Sequence, residues 1–250
     1  MSEKPDKPMS AAQAAMRPAG LKRFYAQASV GEADGGFALL LDGRGARTPA
    51  KQPILLPNRA LAEAMAREWA EQGETIDPAA MPLTRLVNSA LDGVAGMRGE
   101  TRAEIARYTQ SDLLCYRADA PEALVAAETA AFDPILKWAG EALGAHFVVA
   151  EGVVHRPQPQ AALDAVRAAL EGFDEPIALA ALHVMTSLTG SVLLALAVAR
   201  QHVSAEEAWR IAHVDEDFQI SQWGEDAEAS ARREARRRDS EAAARALALT

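Results

Sequence analysis

Aromatic residues are scarce in this 250-residue chain, at 5%, although 49% of it is hydrophobic. The apolar material is mostly Ala, Leu and Val, which favours helix. Cysteine is nearly absent too. With Cys115 alone no intramolecular disulfide can form, which suits a reducing compartment. Beside Leu113 and Leu114 its thiol reads as a buried structural group rather than a nucleophile. Positive charge is in deficit: 26 Lys and Arg stand against 35 Asp and Glu, a net charge of −9. Such a chain repels phosphate, which disfavours general binding to nucleic acid or anionic membrane. The basic run from Arg232 to Arg238 lies among acids without interleaved aromatics, so it reads as part of a solvated, charged helical tail. A dinucleotide fingerprint, a Walker-type loop and a Ser-centred elbow are all missing. Asp42-Gly43-Arg44-Gly45 precedes a strand, with no Lys-Ser/Thr after it, and reads as a turn. No secretory signal or presequence is evident, and residues 1–20 are expected to form a flexible tail. No internal repeat is found.

One long run lacks charge, from Ile177 to Ala199. It has the length to cross a bilayer, but His183, Thr186, Ser187, Thr189, Gly190 and Ser191 sit in its middle and no aromatic belt flanks it. A buried helix, or two short ones broken near Gly190, is expected instead of membrane insertion.

What is present divides into two halves. Residues 21 to 56 carry strand signals: Leu21–Gln27 alternates, Phe37–Leu41 is a short apolar run, Asp42-Gly43 is a turn pair, Ala46–Thr48 returns, and Ile54–Leu56 ends at Pro57. Asn58 caps a helix reaching about Gln72, and Pro82 opens a second carrying Leu83, Leu86, Val87, Ala90 and Leu91. A third is expected from about Glu100 to Tyr116. Beyond a transition near Ala118–Pro121 the pattern is almost wholly helical. A long helix covers Pro121 to Leu143, Phe147–Val149 and Val153–Val154 suggest a short strand pair flanked by His146 and His155, and Gln160–Leu170 is helical. The expected fold class is α+β. A tail (1–20) precedes a small N-terminal domain with antiparallel β-strands (21–118), and a larger, mainly α-helical C-terminal domain (119–250) follows.

Ser204 and Glu207 form a capping box opening the helix that carries the most unusual stretch, Val214 to Gly224. Helical spacing puts Trp209, His213, Glu216, Ile220 and Trp223 on one stripe, flanked by Asp215 and Asp217. A carboxylate on an apolar stripe needs a partner or a path to water. Glu216, Gln219 and Trp223 pair acid, amide and indole at helical spacing, as protein interfaces do. Two other readings stand beside this one. The stretch is an ordinary helix edge, or Glu216, His213 and Asp217 line a small-molecule cleft. His213 and Asp217, four apart, are two ligands without a third, so no metal site is expected.

Four segments in register resemble the chaperones that assemble F(1)-ATPase, the alpha-subunit-binding assembly factors of ATP synthase. They are Leu41-Asp42-Gly43-Arg44 with Arg47 to Lys51; Leu61-Ala62 with Glu68-Trp69, Gln72, Ile76, Pro78, Met81 to Thr84 and Ala90-Leu91-Asp92; Tyr108, Asp112 to Leu114 and Tyr116-Arg117 with Phe132-Asp133-Pro134 and Trp138; and Glu216 with Phe218-Gln219 and Trp223-Gly224. Glu128 and Phe132 depart from the family's more usual Gln and Trp. The resemblance implies a non-enzymatic chaperone that works without a cofactor, and the Ala- and Arg-rich composition, with no presequence evident, suits a bacterial, cytoplasmic member. It would bind the free alpha subunit of F(1) until the beta subunit replaces it, with Glu216 at the family's important acidic position. The expected partner-binding residues are Asp215, Glu216, Asp217, Gln219 and Trp223, on a monomer.

Overall fold

The structure is a computed structural model that describes residues 21–152 and 154–250. An antiparallel sheet opens it. Strands β1 (Ala28–Ala33) and β2 (Gly36–Leu41) pair with Ala28 opposite Leu41, and β3 (Arg44–Gly45) and β4 (Leu55–Leu56) both pair with β2. The turn between β2 and β3 has positive φ at both Asp42 (49°) and Gly43 (75°), the geometry an Asp-Gly pair adopts most readily.

The first strand lies later than the alternation of Leu21–Gln27 predicts. In that segment Lys22 alone bridges, to Thr75. The Arg23 guanidinium donates to the carbonyls of Tyr25, Ala26 and Gln72, and the Asp42 carboxylate accepts from the backbone N–H of Ala26 and Gln27. These bonds use the groups a ladder needs, so pairing starts at Ala28 and runs through Gly31. The return strand is shorter than expected. After β3 the pairing is irregular: Ala46 N–H still donates to the Leu39 carbonyl and Arg47 bridges to Pro53, while the Thr48 hydroxyl bonds Asp92 on a helix.

Helix α1 (Arg59–Ala70) is capped by Asn58, whose side chain accepts from Leu61 N–H, and α2 (Pro82–Asp92) opens on proline. Helix α3 (Arg98–Arg107) stops well before Tyr116. Asp112 intervenes, fully buried, its carboxylate accepting from the backbone N–H of Leu114 and, across the fold, of Leu193. Leu113–Cys115 is then a single 3-10 turn leading into β5 (Tyr116–Arg117). After α4 (Glu122–Leu143), β6 (Ala150–Glu151) pairs in parallel with β5, so Phe147–Val149 does not find its mate in the neighbouring segment. Val153 lies outside the described residues, as does the expected tail 1–20. His146 and His155 are exposed.

Helix α5 (Gln160–Glu171) leads to the apolar run, which divides as expected. Helix α6 (Pro176–Thr189) ends on Gly190 at φ 68°, and Ser191 caps α7 (Val192–Ala199). Among the described residues no helix is long and apolar enough to cross a membrane. The capping box of Ser204 and Glu207 opens α8 (Ala205–Ala212). The remaining helices are α9 (Val214–Trp223) and α10 (Ala227–Ala248). Helix α10 is not a solvated tail: Ser240, Ala243, Ala244 and Ala246 are buried, and it packs on α6 and α2. One apolar cluster runs from Leu39 in the sheet to Ala246 in α10, with α6 at its centre touching α2, α3, α7 and α10. A smaller cluster of Tyr25, Leu41, Ile76 and Met81 sits at the end of β2.

Candidate functional site

The stretch around Glu216 is not one continuous helix. His213 leaves helical geometry at φ −118°, ψ 23°, ending α8 and starting α9. Its ring stacks on Trp209 at 3.8 Å between centroids, and Nδ1 donates to the Trp209 carbonyl at 2.8 Å. Burial holds the imidazole below its ordinary pKa, against the pull of the Glu216 carboxylate. The break takes Trp209 and Glu216 off a common stripe. Trp209 is buried, whereas α9 contains no buried residue.

Helix α9 lies along α4. Its three acids occupy the first turn, where unpaired N–H groups and the helix dipole favour negative charge. They point to different places. Asp215 reaches the buried Glu128 of α4. Burial first, and then Asp215, push the Glu128 carboxyl up to about 7 against the hydrogen bond from Ala118 N–H at 2.7 Å. Glu216 pairs with the Arg233 Nε of α10 at 3.5 Å, and Asp217 pairs closely with the same guanidinium. Gln219 is exposed, and Trp223, just before Gly224, is 79% exposed. The five sequence-predicted residues therefore share one short helix, in two different surroundings along it. The acids tie the first turn inward, and the amide and indole of the last two turns face water.

Glu216, His213 and Asp217 do not converge on a cleft. Two hold Arg233 and the third is stacked on Trp209. A cleft of about 630 Å³ opens elsewhere, between α3 and α5, lined by Glu100, Arg102, Arg107, Arg167 and Glu171 among others. Cys115 is fully buried, and burial, followed by the Asp112 charge, pushes its thiol well up, as expected of an inert structural group. Among the described residues no three His, Cys, Asp or Glu side chains are grouped to hold a metal ion.

The motif residues upstream mostly fasten elements together. Thr48 Oγ1 donates to Asp92 at 2.5 Å, and Ala50 N–H donates to the same carboxylate, joining the sheet to α2. Glu68, on α1, accepts from the N–H groups of Leu83 and Thr84 and so caps α2 from outside; burial raises its carboxyl against those bonds. Gln72 bridges the Glu68 carbonyl and the Asp77 N–H. Arg117, nearly buried, binds Asp133 at 2.5 Å, the carbonyls of Leu114 and Tyr116, and the face of Phe132.

The same frame recurs in known proteins. Residues 22–140 match the family model of the ATP12 chaperone protein. The crystal structure of the Atu1473 protein, described as a putative chaperone from Agrobacterium tumefaciens, superposes with a TM-score of 0.88 at 50% identity, covering 97% of this chain and 91% of that one. Atp12 from Paracoccus denitrificans superposes with a TM-score of 0.84 at 43% identity, covering 92% and 98% respectively. This chain belongs to the ATP12 chaperone family. An aspartate-to-lysine variant of the P. denitrificans protein fits equally well, at TM-score 0.84 and 42% identity over 92% of this chain and 97% of that one. Relatedness thus covers α9 and α10 as well as the segment the family model matches.

Two residues of the site were not singled out for it by the sequence. Arg233 is one arginine in a run of similar ones, and nothing local distinguishes it. Glu128 entered only as a departure from the family's usual residue; the signal was a carboxylate with apolar neighbours three and four positions on, Ala131 and Phe132, which the structure buries.

Proposed function

We propose that this protein is an assembly chaperone for the F(1) sector of ATP synthase, without catalysis of its own. It binds the free alpha subunit and keeps it from aggregating until the beta subunit takes its place. The partner-binding surface is α9, with Asp215, Glu216, Asp217, Gln219 and Trp223. Membership of the ATP12 chaperone family supports the chaperone role. The observation that carries the choice of surface is Trp223, an indole left 79% exposed at the end of a helix that buries none of its residues. Burying an indole against a partner is strongly favourable, and large exposed aromatics are common anchors of interfaces. The lack of catalysis is supported by the sealed Cys115 thiol and by the occupied ring of His213.

The test is capture. Purified protein mixed with the isolated alpha subunit is expected to co-elute with it and to suppress its light scattering on warming. Alpha subunit that aggregates equally with and without the protein removes the proposal.

A further inference from the structure

Helix α9 is an unusual element to place at a binding surface, because none of its residues is buried and Val214 alone, half-buried at its start, packs against the main apolar cluster. Beside that contact, its first turn is held by charged groups. Asp215 meets Glu128 on one side, and Glu216 and Asp217 meet Arg233 on the other. The Arg233 side chain is 21% exposed, against 40% for Glu216 and 44% for Asp217, so α9 covers the guanidinium. Its backbone is firmly placed, since α10 is buried in the core through Ser240, Ala243, Ala244 and Ala246. The neighbouring arginines are engaged elsewhere. Arg232 pairs with Glu228, Arg236 donates to the Leu188 carbonyl at 2.9 Å, and Arg237 pairs with Glu234 and Glu241.

We infer that Arg233 is the positioning residue of the α9 surface, and that Glu216 acts on the partner through this guanidinium rather than by touching it. A planar guanidinium shared by two carboxylates of adjacent residues fixes the rotation of their helix as well as its distance. That rotation decides where Gln219 and Trp223 project. Both lie beyond the tie on the exposed turns, and neither side chain is spent on an ion pair. A partner cation aimed at Glu216 would compete with an arginine already beside it. A partner surface meeting Gln219 and Trp223 displaces only water. The inference rests on the proposed α9 surface, and its test separates the two.

The test uses full-length protein, purified ATP synthase alpha subunit as the probe, and amide hydrogen exchange of residues 214–223. Arg233→Met is expected to weaken capture about tenfold and to speed exchange across α9 by a similar factor, leaving residues 240–248 unchanged. Arg233→Lys keeps the charge and is expected to recover most of both. Trp223→Ala is expected to weaken capture without changing exchange. The decisive variant exchanges the charges and neutralises the second carboxylate, which would otherwise repel the new one: Glu216→Arg with Arg233→Glu and Asp217→Asn remakes the tie in reverse. Capture within about threefold of wild type supports positioning, and capture as weak as that of Glu216→Arg alone overturns it in favour of direct carboxylate contact. Tighter capture by Arg233→Met also overturns it, because the arginine then masks the surface. If Trp223→Ala weakens capture and Arg233→Met does not, the positioning role fails alone. If neither matters, the surface itself is wrong.

Discussion

Glu128 is a carboxyl group shielded from water with a second carboxyl, Asp215, beside it, and its raised pKa ties the protein's stability to pH. An ordinary glutamate in the unfolded chain loses its proton near pH 4.5, whereas here it is held to about 7. The folded state therefore binds this proton more tightly. The stabilisation is complete below the unfolded value and is lost as pH rises through about 7. His213 acts in the opposite sense: its imidazole is held below the ordinary value, so its contribution is lost as pH falls below about 6.5. Glu128→Gln isolates the first effect. Its amide donates to Asp215 and accepts from Ala118 N–H without needing a proton. The variant is expected to gain on wild type by about 2–4 °C in melting temperature between pH 5 and pH 8, equivalent to about 1 kcal/mol. Asp215 is exposed, so water screens the repulsion and keeps the gain modest. A constant difference across that range rules out a shared proton.

Among the elements, α9 and α10 are joined by Gly224, Glu225 and Asp226, and Gly224 sets the angle between them. Its φ of 83° with ψ of 176° lies in a region that is essentially closed to side-chain-bearing residues. A Cβ there would meet nothing within 4 Å, so the cost of Gly224→Ala is backbone strain alone. Urea unfolding is expected to show a loss of about 1–3 kcal/mol with an unchanged slope; a neutral result means the turn relaxes freely. What the sequence revealed about the elements follows from the range of the forces involved. Asn58, Pro82, Gly190 and the Ser204–Glu207 box were legible because a cap is satisfied within four residues. The end of α3 was not, because Asp112 draws half of its hydrogen bonding from Leu193, 81 residues away. Nor was the break at His213, where stacking on Trp209 replaces a helical turn, or the β5–β6 pair, whose register only the folded chain supplies. At the site, the residue types were legible and their orientation was not. Periodicity put Glu216 on an apolar stripe because it carried the count through His213.

At the scale of the molecule, α6 is the axle and α10 the last piece fitted to it. The apolar face of α6, including Leu179, Leu182 and Met185, belongs to the same buried cluster as Ala243, Ala244 and Ala246. Removing residues 227–250 would leave part of that face open, and exposed apolar area of this kind drives association. A protein ending at Asp226 is expected to move from the supernatant to the pellet on expression; a soluble, cooperatively melting product would show that α10 is dispensable. The alanines of α10 also carry a consequence for synthesis. The ribosome makes α6 first and reaches Ala246 several seconds later, at about 5–20 residues per second. Throughout that interval the nascent chain displays the apolar face of α6 without the helix that covers it. A member of a chaperone family thus begins life as an incomplete fold in need of cover, and the order of its own gene decides how long that lasts.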